Sequence, residues 1–343
     1  HPIIPLLLDF RCARDALPLM VLPEHPAYPG GEQRARWHVE EAVRSFTAAF
    51  GAAPAGCWPA EGAVSDGTLR LLSAAGGFRW AASSASVLRG SLLQGAPQLA
   101  EDPQVYNRPY RAPGTSMDCF FRDDHLSDLV GFTYATWHGD DAARNLAAEL
   151  AQLAQRYAGG EHAVLIALDG ENAWEHYPFN GYYFLKALYA ALSDHSQFEL
   201  LTVSDCLARG LKAAPLPRVL AGSWVYGSLA TWIGDEAKNR AWDLLCEAKL
   251  AFDRIVPTLT EAQQRAAGRQ LALCESSDWF WWFGDYNPAE AVSQFDQLYR
   301  RQLETLYRRL GLTPPPQLAQ PIAAGSTTSA AEHGGVMRRA GAR

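Results

Sequence analysis

Short, largely apolar runs that end at or beside a carboxylate narrow the folds open to this 343-residue chain. They are residues 3–9 (IIPLLLD), 117–121 (MDCFF), 163–169 (AVLIALD) and 199–205 (ELLTVSD), with Asp9, Asp123, Asp169 and Asp205 at or near their ends. The first and third are apolar nearly throughout, which suits strands covered on both faces of a parallel α/β sheet. Such sheets put their active sites at the carboxyl ends of the strands, so a row of acids there hints at function. An aspartate at a strand end also serves as a cap or turn residue.

Helical patterns lie between these runs. Val39, Val43, Phe46 and Phe50 make one stripe; Leu146, Leu150 and Leu153 with Tyr157 make a second, which stops at Gly159-Gly160; residues 182–192 make a third. The alternation predicts repeated β-α units to about residue 210. Residues 213–218 read as a linker, and only helices are expected beyond it. One has Trp242, Leu245, Ala248 and Phe252 on a face; a longer one carries Phe295, Leu298, Tyr299, Leu303, Leu306, Tyr307 and Leu310, begins at Asn287-Pro288 and ends at Gly311. Pro314 to Pro316 prevents continuation. The Ala-, Gly-, Ser- and Thr-rich stretch from about 317 has little to bury and is expected to be disordered.

Composition removes several classes. Lys+Arg 30 against Asp+Glu 37 gives a net charge of −7, with no electrostatic footprint for nucleic acid or an anionic membrane. No apolar run approaches the roughly 18–20 residues that cross a bilayer. The 6 cysteines form no CxxC pair and no cluster with zinc spacing, so free thiols in a reducing, cytoplasmic setting are expected. No metal or other cofactor is called for: His138 with Asp140 and Asp141 is a weak candidate, and GxSxG, HExxH, Walker and GxGxxG patterns are missing. The chain opens at His1 inside a strand-like run and reads as a piece of a longer protein.

The chemistry-bearing residues fall in a few segments. In 56–65 (GCWPAEGAVS) a glutamate, Glu61, sits between Trp58 and a glycine on a constrained backbone; a capping role for Ser65 explains part of it equally well. Residues 168–177 (LDGENAWEHY) load a strand-to-loop junction with acids, a Trp, a His and a Tyr, more than turn formation requires. Residues 275–285 (ESSDWFWWFGD) place three of the chain's 11 Trp within four positions, bracketed by aspartates. Indoles stack on the C–H faces of sugars while acids bind hydroxyls, which explains this mixture better than a core stripe does. Residues 222–234 (GSWVYGSLATWIG) are a similar aromatic and glycine-rich stretch.

At these segments the chain resembles glycoside hydrolase family 57, the α-glucan-active family of α-amylases, amylopullulanases, branching enzymes and 4-α-glucanotransferases. The matching residues are 56–65, 168–181, 222–245 and 275–285, with 1–7 and 120–132 fitting as well, so the likeness runs from residue 1 to about 322 and is closest to the amylopullulanase and α-amylase-like branch. It implies a (β/α)7-type barrel followed by a helical bundle domain, here incomplete at its N-terminus, since the family's first strand motif is missing. The domains implied are residues 1–213 (barrel), 214–313 (helical, completing the cleft) and 314–343 (tail). The family's nucleophile matches Glu61 and its acid/base matches Asp169. Substrate contacts are expected from His1, Trp58, Glu171, Trp174, His176, Trp224, Asp278, Trp279, Trp281, Trp282 and Asp285. The partner implied is an α-glucan oligosaccharide or polysaccharide. A chain lacking a barrel unit is expected to be weakly active or inactive on its own.

Overall fold

The computed structural model describes residues 1–157, 161–170, 174–193 and 195–325. They fall into two compact units. The first takes 1–53, 59–75 and the chain from 221 onward; the second takes 54–58 and 76–220.

In the first unit the chain begins with a short helix, α1 (Ile4–Leu8), where a strand is expected. Pro5 decides this. It lacks the N–H that a sheet ladder needs, but it fits a helix's first turn, where that N–H has no partner anyway. Leu6 and Leu7 are fully buried, so a wholly buried helix and a wholly buried strand carry the same apolar signal here. Helix α2 (Gly31–Phe50) packs on it so closely that a Cβ on Gly31 would lie 1.8 Å from the Leu7 carbonyl oxygen.

Helix α3 (Asp66–Ala75) is capped by Ser65, whose Oγ accepts from the Thr68 N–H at 3.1 Å. The remaining helices of this unit are α9 (Glu236–Ile255), α10 (Glu261–Cys274), α11 (Ser277–Trp282) and α12 (Ala289–Arg309). The α12 helix starts one residue later than expected, because Asn287 is occupied: its side chain donates to the Trp281 and Trp282 carbonyls. Trp242 of α9 anchors the core. Its ring stacks on Phe280 at 4.2 Å and meets the edge of Phe10 at 5.1 Å, and its indole donates to the Trp232 carbonyl at 2.9 Å.

The second unit holds a five-stranded sheet. Its strands are β1 (Gly56–Cys57), β2 (Trp80–Ser84), β3 (Tyr110–Arg111), β4 (Asp118–Arg122) and β5 (Ala214–Pro215), in the order β1-β2-β4-β3-β5. The pairs β1–β2 and β2–β4 are parallel, β3–β4 is antiparallel and β3–β5 is parallel. Residues 213–218 are therefore not a linker: Ala214 and Pro215 pair with Tyr110 and Arg111. Between the strands stand α4 (Ala85–Gly95), α5 (Asp124–Asp128), α6 (Gly139–Arg156), α7 (Tyr182–Ser193) and α8 (Val203–Ala208). The α6 and α7 helices lie where their stripes predict. The glycines at 159–160 fall outside the described residues, as does the tail from 326.

Two expected strands need qualification. Residues 199–205 form no ladder; Thr202 caps α8 instead, its Oγ accepting from the Asp205 N–H at 3.1 Å. Residues 163–169 run beside β4 but bridge it at one position, Leu165 to Arg122, with the Asp123 N–H donating to the Leu165 carbonyl at 2.8 Å. All 6 cysteines are free thiols. Among the described residues no helix is long and apolar enough to cross a membrane.

Candidate active site

Glu61 sits in a short turn, residues 60–62, that follows β1 in the chain. Its backbone is left-handed, φ +58° and ψ +24°. For a residue with a Cβ this costs roughly 1 kcal/mol, and such positions concentrate at functional sites. Hydrogen bonds over-determine it. Gly62 N–H donates to the Pro59 carbonyl at 2.8 Å and Ala63 N–H to the Ala60 carbonyl at 3.0 Å. Val64 and Gly222 exchange a reciprocal pair of backbone bonds at 2.9 and 3.1 Å, which brings Trp224 alongside. Trp224 N–H then donates to the Glu61 carbonyl at 3.2 Å, and its indole Nε1 donates to Glu61 Oε2 at 2.7 Å. A half-buried carboxylate is thus fixed by a partner that cannot accept a proton from it, since an indole N–H only donates. Trp224, expected to contact substrate, binds the candidate nucleophile directly.

Asp169 lies in the second unit, at the end of the extended segment beside β4. Val164, Ile166 and Leu168 pack against the α6–α7 core. The two-residue alternation puts Asp169 on the opposite face, half-buried. The segment is held from below by Arg122, buried at the end of β4. That guanidinium donates to Asp124 at 2.9 Å, to Asp128 at 3.1 Å and to the Ala167 carbonyl at 3.4 Å. Burial raises the Asp124 carboxyl above its ordinary range, against the pull of Arg122 beside it.

The other expected contacts are placed as follows. Trp58 is half-buried just after β1. Trp174 packs beside Tyr177 at 5.4 Å and Phe184 at 6.4 Å, while His176 is exposed; Glu171 falls outside the described residues. In the first unit the His1 ring meets Ser277 Oγ at 3.1 Å, next to exposed Asp278. Of the tryptophans in α11, Trp282 stacks on Phe295 at 4.6 Å, Trp279 lies 5.7 Å from Tyr299 and donates its indole N–H to the Leu273 carbonyl, and Trp281 lies 6.0 Å from Trp232. Asp285 is exposed.

Glu275, at the head of the same segment, is fully buried and lies outside the expected substrate contacts. Tyr28 donates to it at 2.5 Å, Arg34 binds both its oxygens at 2.6 and 2.8 Å, and His38 meets it at 2.7 Å. Burial alone would raise this carboxyl, but the hydrogen bonds and charge of Arg34 and His38 hold it at about 2. Its partners are spread over α2 and the loop before it, so no local pattern could have found them. Among the described residues no group of three or more His, Cys, Asp or Glu is placed to hold a metal ion.

Comparison with known proteins decides the family. The model of glycosyl hydrolase family 57 matches residues 1–215. The chain belongs to glycosyl hydrolase family 57. No curated protein matches it by sequence. Solved family structures share its fold at low identity. A branching enzyme from Thermococcus kodakaraensis aligns at 15% identity and TM-score 0.63, over 90% of this chain and 64% of its own. The α-amylase AmyC from Thermotoga maritima aligns at 15% and 0.59, over 83% and 64%. A 4-alpha-glucanotransferase from Thermococcus litoralis aligns at 14% and 0.56, over 88% and 46%. The chain thus spans less than two thirds of the length of these relatives. The α/β class with a following set of helices agrees with the family's (β/α)7 barrel architecture.

Proposed function

We propose that this chain carries the catalytic residues of a retaining glycoside hydrolase that cuts α-1,4 linkages of glucans such as starch, glycogen or maltodextrin, with α-1,6 linkages as the alternative target. Glu61 attacks the anomeric carbon as carboxylate, forming a covalent glycosyl-enzyme while Asp169 gives its proton to the departing oxygen. Asp169 then takes a proton from water, whose oxygen displaces Glu61 and restores both groups. The observation that carries this reading is the Trp224 indole 2.7 Å from Glu61 Oε2 on a left-handed residue, which holds the carboxylate as an acceptor. The partner is an α-glucan, and the setting is cytoplasmic.

The test is Glu61→Gln and Asp169→Asn in the intact protein that carries this chain, acting on maltodextrin. Each is expected to abolish turnover, and full activity in either rejects that residue's role. The second reading is a transglycosylase, because a branching enzyme and a 4-alpha-glucanotransferase align over 90% and 88% of this chain, against 83% for the amylase. It uses the same intermediate with a sugar hydroxyl as acceptor. Maltoheptaose separates the two: shorter products alone mark hydrolysis, while longer chains or new α-1,6 branches mark transfer. Glucan binding without release of reducing ends would leave an inactive binding protein.

A further inference from the structure

The residues just before Asp169 lack the support of a strand ladder. Residues 163–169 bridge β4 once, with Leu165 beside Arg122. Continuing that parallel register would set Asp123 beside Ile166 and Asp124 beside Ala167. Both have already left the sheet. Asp123 caps α5, its Oδ1 accepting from the Leu126 N–H at 2.9 Å, and Asp124 is the first residue of that helix.

Side chains from this turn act on Ala167 instead. Its N–H donates to Ser127 Oγ at 3.3 Å, and its carbonyl accepts from Arg122 Nη1 at 3.4 Å. Ala167 is thus held at both backbone groups, two residues before Asp169 and on the same face of an extended chain. The other face is fixed as well, since Leu168 packs against the α6–α7 core. The clamp is itself anchored. Ser127 is fully buried on α5, and Arg122 is 3% exposed. The guanidinium directs its other two nitrogens at α5, Nε to Asp124 at 2.9 Å and Nη2 to Asp128 at 3.1 Å. Asp124 Oδ2 in turn accepts from the Ser86 N–H at 3.2 Å, in the first turn of α4.

A buried ion pair is a poor stabiliser, because desolvation cancels much of its attraction and an apolar side chain could fill the same space. An apolar side chain could not donate to the Ala167 carbonyl. Nor could lysine reproduce a planar fork that serves three acceptors at once. We infer that Arg122 is a positioning residue for the reaction: together with Ser127 it replaces the missing ladder at Ala167 and sets where the Asp169 carboxyl stands. The inference rests on the reading of Asp169 as acid/base. Rate depends steeply on such placement, and a shift of about 1 Å costs about a hundredfold.

Two variants test it in the intact protein that carries this chain. Arg122→Lys keeps a charge against Asp124 and Asp128 but loses the fork; Ser127→Ala removes only the acceptor. On maltodextrin, kcat is expected to fall about a hundredfold in the first and about tenfold in the second, with KM within about twofold of the parent. A second substrate separates positioning from folding. α-Maltosyl fluoride releases fluoride ion, which needs no proton from Asp169, as Glu61 bonds to the anomeric carbon. Azide, which has no proton to give up, then displaces Glu61 as maltosyl azide. With this pair both variants are expected within about threefold of the parent, because neither step uses Asp169. Parental kcat of Arg122→Lys on maltodextrin overturns the inference. So does an equal loss on both substrates, which marks a structural role. Should Arg122→Lys fail to fold, the same two outcomes are read from Ser127→Ala. Asp169→Asn in the same assay tests the reading beneath: if fluoride and azide leave it inactive, the acid/base role of Asp169 falls and the inference with it. If they restore Asp169→Asn but not Arg122→Lys, the inference alone falls.

Discussion

The indole of Trp224 donates to Glu61 Oε2 at 2.7 Å, across 163 residues of sequence. The same two residues also share a backbone bond, so the carboxylate is fixed at its side chain and at its main chain. Trp224→Phe keeps the ring and removes the donor. A hydrogen bond to a charged group contributes about 1.5–3 kcal/mol, so kcat on maltodextrin is expected to fall roughly ten- to a hundredfold. Steady-state kinetics beside thermal melts check this: unchanged kcat would show that the bond does not serve the reaction.

Function and backbone preference conflict at Glu61. Glu61→Gly relieves a left-handed strain of roughly 1 kcal/mol and gives up the Trp224 hydrogen bond, worth about 1.5–3 kcal/mol, so the two largely offset. The variant is expected to be inactive yet to melt within a few degrees of the parent. A large drop in melting temperature would mean that Glu61 is retained for stability.

Glu275 makes the first unit acid-sensitive. Its folded pKa, about 2, lies below the ordinary carboxylate value of 4.5. The folded state therefore binds fewer protons than the unfolded one in that window, and the stability gained is complete above about pH 4.5 and lost as pH falls towards 2. Glu275→Gln leaves the Arg34 guanidinium buried without a counter-charge, at a cost of about 3–5 kcal/mol. Urea unfolding at pH 7 and pH 3 is expected to show a large deficit at pH 7 that narrows at pH 3.

Lys238 works in the opposite direction. Desolvation lowers its pKa from 10.5 to about 8, against the pull of Asp235. Below about pH 8 both states carry the proton and the folded state bears the full cost of the buried charge. As pH rises from about 8 to 10.5 only the folded state gives the proton up, so this group adds stability across that window. Lys238→Met is expected to raise stability at pH 7 by on the order of 1–3 kcal/mol and to flatten the rise above pH 8. Melts of both proteins at pH 7 and pH 10 decide it.

Close approach of α1 and α2 gives a structural prediction. Gly31→Ala sets a methyl group 1.8 Å from the Leu7 carbonyl oxygen, which is backbone and cannot rotate away. The helices must separate, and a loss of several kcal/mol is expected, within the range of overpacked cores. A melting temperature equal to the parent's would show that the two helices are not held this tightly.

The sequence by itself determined the family, because the family's motifs are contiguous; the roles proposed for Glu61 and Asp169 rest on the same kind of motif, GCWPAEG around the one and Asp169-Gly170 at the other. It also determined α2, α6, α7, α9 and α12, whose 3.6-residue stripes are local signals. Residues 3–9 and 199–205 were misleading for a physical reason. An apolar run records burial and not the conformation that achieves it, so Pro5 and the Thr202 cap settled helices where strands were expected. Only the tertiary structure decided what each polar group faces. Trp224 against Glu61, Arg34 and His38 against Glu275, and Lys238 against Tyr286 are pairs far apart in the chain, and no spacing rule reaches across such distances.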